Sequence, residues 1–199
     1  FAESTGQKVM IGCFTKGGCR LSDHINSDDE HSKNLRELLA YSWDVIVLQE
    51  QSLTPISDAD TFFEGAETIV SMIDKETTRI LLFSTWSRKT DELAMEDIGL
   101  NKEEMRVALI NSYQELANKI DAEICPVGDA FNNVEKDEGI NLYYFDGSHP
   151  WYKGSYLSAC VLYSVIFDKS CEGLDYYGSF LSHDKELLQR YAKAAIDGK

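Results

Sequence analysis

Asp146 and His149 stand three residues apart in the stretch Asp146-Gly147-Ser148-His149-Pro150, directly ahead of an apolar run from Trp151 to Phe167. An acid and an imidazole at that spacing can form a base-and-orienter pair from one loop. The histidine takes a proton, and the aspartate fixes its tautomer and stabilises the imidazolium. Pro150 suits a first helical turn, where a missing N–H costs nothing. A solvated turn with a capping Asp is the alternative reading, and these five residues alone leave both open.

Other polar groups fall where chemistry is usually placed. Gly17 and Gly18 follow the apolar stretch Gln7–Phe14. Paired glycines after a strand let backbone N–H groups converge on an anion, although they are also ordinary turn residues. Gln49-Glu50-Gln51-Ser52 ends the run Asp44–Leu48, and Ser84-Thr85-Trp86-Ser87 ends the run Arg79–Phe83. Open α/β sheets gather their ligands at the carboxyl ends of such strands. The aromatic clusters Tyr143-Tyr144-Phe145 and Tyr176-Tyr177 could stack on sugars or simply pack. The four histidines are scattered. The five cysteines (Cys13, Cys19, Cys125, Cys160, Cys171) form no CxxC pair, so neither a metal nor another cofactor is expected. Cys160, inside the apolar run, reads as a small buried hydrophobe.

The elements that must hold these groups alternate along the chain. Strands are expected at Gln7–Phe14, Asp44–Leu48, Arg79–Phe83 and, as an edge because of Pro126, Glu123–Val127. Helices are expected at Asn34–Tyr41, Asp58–Ile73, Lys102–Ile120, Trp151–Phe167 and His183–Ile196, with a turn or short helix at Asp129–Asn133. Arg88–Leu100 reads as a charged excursion or lid. This alternation predicts an α/β fold, a parallel sheet with helices on both faces.

At 199 residues and 43% hydrophobic content the chain is expected to form a single globular domain. A net charge of −15 offers no basic stripe for nucleic acid and disfavours anionic polymers as substrates. No apolar run is long enough to span a membrane. The chain opens at Phe1 without a methionine. A removed leader, with a periplasmic or secreted location, therefore stays as open as a cytoplasmic one.

The Gly17-Gly18 turn, the Gln49-Glu50-Gln51-Ser52 block, Thr85-Trp86 and Asp146-x-x-His149-Pro150 occur in an order that resembles the SGNH/GDSL hydrolase superfamily. It is most similar to a branch of bacterial proteins whose third block reads Leu-Gln-(Glu/Gln)-x-Ser. The resemblance runs from about Gly6 to Phe167, and the Asp-Gly-x-His-Pro motif is its most specific part. It implies a flavodoxin-like three-layer α/β/α sandwich and a carboxylic ester hydrolase acting on small acyl esters, with O-acetylated carbohydrate one candidate. His149 would be the general base, Asp146 its orienter and the Gly18 N–H one oxyanion donor. Gln49 would stand where the family has an asparagine, with Ser52 and Glu50 as alternatives. Trp86, with Ser52, would contact the substrate, although a core tryptophan is the other reading.

The first block of that family, a strand ending in Gly-Asp/Asn-Ser, has no counterpart. Ser4 imitates it. However, only Thr5 and Gly6 separate Ser4 from the next expected strand, and a parallel crossover needs about a dozen residues. The expectation is that the first strand and the nucleophilic serine lie upstream of Phe1. The competing expectation is a non-catalytic carbohydrate-binding or scaffold protein of the same fold.

Overall fold

The structure, a computed structural model, describes residues 2–25, 29–89, 99–176 and 182–198. Its elements in order are α1 (Glu30–Leu39), β1 (Val45–Leu48), α2 (Thr54–Ser57), α3 (Ala59–Ser71), β2 (Arg79–Phe83), α4 (Lys102–Ile120), β3 (Glu123–Cys125), α5 (Val127–Glu138), α6 (Tyr152–Phe167) and α7 (Ser182–Ile196). Short 3-10 turns lie at Glu3–Thr5 and Ser22–His24. The fold is α/β. The sheet runs β1-β2-β3, and β1 and β2 are parallel, with Val45 opposite Arg79 and Leu48 opposite Leu82.

Packing divides the chain into two compact units. The first comprises Phe1–Met10, Trp86–Arg106 and Cys125–Lys199, and the second Ile11–Thr85 and Val107–Ile124. In the second unit β2 is central, and Ile80, Leu81, Leu82 and Phe83 are all buried. That explains its unbroken apolar sequence, since a strand covered on both faces has no polar side. α3 turns Phe62, Ala66, Ile69 and Val70 inward, and α4 contributes Leu109, Tyr113 and Leu116 to the same core. In the first unit α5, α6 and α7 pack on one another around Phe131, Val134, Leu157, Val161 and Leu188. Cys160 is fully buried there, as its sequence position suggested.

Four expectations are corrected. Gln7–Phe14 is not a strand: residues 7–16 carry no regular secondary structure, and Val9, Met10 and Ile11 are exposed. An apolar segment becomes a strand only when a neighbour takes its backbone N–H and C=O groups, and no described strand does so here. β1, expected to be fully buried, has only Leu48 inside, because its ladder to β2 covers one edge. Pro150 precedes α6 instead of opening it. Trp151 is the N-cap, and Pro150 bridges antiparallel to Tyr143. α5 is also longer than the short turn expected at Asp129–Asn133. Most of the expected excursion Arg88–Leu100 lies outside the described residues, as do residues 177–181.

Candidate functional site

In the first unit the Asp146–His149 loop is tied at its base. Pro150 and Tyr143 form the bridge, the Tyr144 N–H donates to the His149 carbonyl at 2.8 Å, and the Trp151 N–H donates to the Leu142 carbonyl at 2.8 Å. The turn between requires a left-handed residue, and Gly147 supplies it with φ +66°. Asp146 Oδ1 accepts the N–H groups of Ser148 and His149, each at 2.8 Å. Its Oδ2 lies 2.8 Å from His149 Nδ1. The two backbone donors are the main cause that holds the Asp146 carboxyl down at about 2, with the His149 side chain adding to it. A carboxylate so ionised can only accept. The proton of that contact therefore sits on Nδ1, and in the neutral imidazole Nε2 keeps its lone pair. The His149 side chain is exposed, with Nε2 bonded to no described residue. An imidazole in this state offers the lone pair that a general base needs.

The loop is braced from beneath. Trp86 Nε1 donates to the Ser148 carbonyl at 2.9 Å, and the Lys89 N–H donates to the Gly147 carbonyl at 2.8 Å. Trp86 lies flat on buried Phe131, with ring centroids 4.0 Å apart and planes 4° apart. Phe131 in turn meets Tyr143 edge-on at 5.8 Å. The Tyr143 hydroxyl reaches the Ser87 carbonyl at 2.8 Å and Glu135 Oε2 at 2.9 Å, and Lys102 pairs with the same carboxylate at 2.6 Å. Burial and that carboxylate both push the Tyr143 phenol upward, so it stays a donor. At the start of α6 a Cβ on Gly154 would meet the Leu142 carbonyl at 2.5 Å and Phe131 at 2.9 Å. Only glycine lets the helix approach the segment that leads into the loop.

The second unit carries the glycine turn and the block after β1. The Cys19 N–H closes the turn onto the Lys16 carbonyl at 3.2 Å, and Gly18 has φ +73°. Gly18 is exposed, and its N–H donates to no described residue. The four residues 49–52 divide their tasks. Gln49 is exposed with its side-chain amide uncommitted among the described residues. Glu50 is only 2% exposed. Glu50 accepts the Leu21 N–H with both oxygens at 3.2 Å and the Gln51 N–H at 2.7 Å. Burial dominates its ionisation and raises its carboxyl to about 7, against the opposing pull of those N–H groups. Gln51 Oε1 accepts the N–H groups of Leu53 at 2.8 Å and Thr54 at 3.1 Å, fastening the entry to α2. Ser52 is half-buried.

No protein-family model matches the chain, and no curated protein matches it. Two solved structures do. One is a DUF4886 family protein from Bacteroides uniformis ATCC 8492, 20% identical, with a TM-score of 0.82 over 98% of this chain and 86% of that one. The other, from Slackia heliotrinireducens, is named "a putative SGNH hydrolase". It is 23% identical, with a TM-score of 0.72 over 83% of this chain and 88% of that one. The chain has an SGNH-like fold.

On this SGNH-like fold, Asp146 and His149 are brought together as the spacing suggested, and Trp86 lies under their loop. Gly18, Gln49 and Ser52 belong to the other unit. Ser4 sits on the 3-10 turn Glu3–Thr5. Two features escaped the sequence reading. The Trp86 and Lys89 braces are long-range contacts with no local signature. The inward turn of Glu50 was hidden inside a run of four polar residues. Among the described residues no group of three His, Cys, Asp or Glu side chains could hold a metal ion, and no helix is long and apolar enough to cross a membrane.

Proposed function

We propose that this protein is an SGNH-type hydrolase of small acyl esters, with O-acetyl groups on carbohydrate as the favoured class. The observation that carries the reading is the Asp146–His149 pair. Its carboxylate is fixed by two backbone N–H groups, its Nδ1–H is committed, and its Nε2 is exposed and free to accept. The SGNH-like fold supports it.

In this mechanism a serine hydroxyl attacks the ester carbonyl. Its proton passes to His149 Nε2 as the new C–O bond forms, and the carbonyl electron pair moves onto oxygen. That oxyanion needs hydrogen-bond donors such as backbone N–H or side-chain amide groups. Collapse expels the alcohol, which takes the proton back from Nε2. Water then repeats the sequence on the acyl-enzyme and releases the acid. Asp146 stabilises the imidazolium at each stage.

The test is hydrolysis of p-nitrophenyl acetate together with labelling by a fluorophosphonate, followed by mass spectrometry of the modified peptide. Wild type should hydrolyse the ester and label on one serine, and His149→Ala should lose about 10²–10⁴-fold in kcat. Hydrolysis that survives in His149→Ala, or labelling spread over several serines, would remove the reading. A non-catalytic carbohydrate-binding protein is the second reading. Its support is the exposure of Tyr144, Phe145 and Tyr152 beside the loop, and it predicts no turnover in wild type.

A further inference from the structure

Exposed aromatic side chains are uncommon, and in this chain three of them are joined with half-buried Trp151 around one loop. Tyr144 and Phe145 stand immediately before Asp146, and Trp151 and Tyr152 stand just after Pro150. The bridge between Tyr143 and Pro150 brings the two pairs together. Ring centroids are 5.1 Å apart for Tyr144–Phe145, 5.3 Å for Tyr144–Trp151, 4.8 Å for Phe145–Trp151 and 6.0 Å for Trp151–Tyr152. Phe145 is 82% exposed, Tyr152 65% and Tyr144 49%. Such clusters lose free energy to water unless something covers them.

We infer that Tyr144, Phe145, Trp151 and Tyr152 form a binding surface for a neutral carbohydrate chain, which presents its ester to the adjacent His149. Three observations select that occupant. The rings have apolar faces, and the tyrosines and tryptophan add polar edges. A pyranose offers the matching combination of C–H faces and hydroxyls. The cation next to Tyr152 in sequence, Lys153, is neutralised by Asp184 at 2.8 Å. With a chain charge of −15, this disfavours an anionic polymer or an anionic lipid surface. The surface is also continuous with the Asp146–His149 loop, so a bound chain lies within reach of the base.

This inference deepens the esterase reading but shares only the loop with it, so the two can fail separately. The experiment is calorimetry of wild type, Phe145→Ala, Tyr152→Ala and His149→Ala with xylohexaose and cellohexaose, beside vesicles of phosphatidylglycerol and a sedimentation run at two protein concentrations. Wild type and His149→Ala should bind at least one hexasaccharide. Each aromatic variant should weaken that binding about tenfold. Both aromatic positions are surface positions, and an unchanged melting temperature checks their fold. No hexasaccharide binding in wild type, or equal binding in both aromatic variants, overturns the inference whatever the esterase result. So does a vesicle- or concentration-dependent association that Phe145→Ala alone abolishes. Sugar binding without any ester turnover keeps the surface and removes the esterase reading.

Discussion

Both carboxylate oxygens of Glu50 accept the N–H of Leu21, at 3.2 Å each, from a side chain that is almost wholly buried. This contact fastens the segment after the Gly17-Gly18 turn to the carboxyl end of β1. Its energetic sign depends on pH. Burial raises the Glu50 carboxyl from 4.5 to about 7, so the folded protein holds a proton that the unfolded chain releases. The resulting stability is fully present below pH 4.5 and is lost as pH rises through 7. A shift of that size corresponds to at most about 3 kcal/mol. Glu50→Gln removes the titration and keeps one carbonyl acceptor. Urea unfolding at pH 5 and pH 8 should therefore show the variant gaining on wild type by up to that amount. A wild-type-minus-variant difference that is the same at both pH values would remove this assignment.

His24 shifts stability with pH in the opposite sense. His24 Nδ1 and His31 Nε2 are 2.7 Å apart, with their rings stacked and Phe14 against both. Such a contact needs one N–H and one lone pair, so it cannot survive protonation of both rings. Burial first, and His31 second, lower the His24 ionisation. A depressed histidine contributes stability that is present above pH 6.5 and is lost as pH falls through its folded value. His24→Phe should flatten the acid side of the stability profile near pH 6 and leave the profile above pH 7.5 unchanged. A variant profile that runs parallel to wild type throughout would refute the assignment.

What the sequence makes legible here is what local pattern encodes. β2 is covered on both faces, and its uninterrupted Arg79–Phe83 run says so. The Asp146–His149 contact closes within three residues, so spacing alone suggested it. Gln7–Phe14 carries equally good strand composition, but a strand exists only through a partner, and composition is silent about partners. Residues 49–52 look uniform in polarity. Alternation along the backbone nevertheless sends Gln49 outward and Glu50 inward, and the energetics follow burial instead of residue type. α5 was underestimated because Asp129, Asn132 and Asn133 draw the eye. Its inward face, Val127, Ala130, Phe131 and Val134, has the spacing of a helix and could have been found.

Trp86 separates two roles that its sequence position left open. Its indole N–H is spent on the Ser148 carbonyl, and its ring is stacked on Phe131. Trp86→Phe keeps the stack and deletes only the hydrogen bond. A net loss of about 1 kcal/mol in loop order predicts a roughly fivefold fall in kcat with KM held. If KM rises and kcat holds instead, Trp86 contacts substrate and the bracing role is wrong.

Asp146 sets the chemistry of His149 through geometry and charge together. Asn at this position can still accept one or both backbone N–H groups through its carbonyl oxygen. Its amide group, however, would face Nδ1 as a donor. The imidazole would then have to carry its proton on Nε2, where a base needs a lone pair. Asp146→Asn should therefore fold with an unchanged far-ultraviolet spectrum and lose about 10³–10⁴-fold in kcat, as tautomer inversion does in hydrolases built on an acid–histidine pair. Because the Asp146 carboxyl is held near 2 by the Ser148 and His149 N–H groups, its own contribution to stability is present above pH 3.8 and fades only as pH falls through 2. The Asp146 carboxylate should then contribute no step to the wild-type activity profile between pH 4 and 8. An Asp146→Asn variant that keeps the wild-type kcat would show that the base is oriented by some other group.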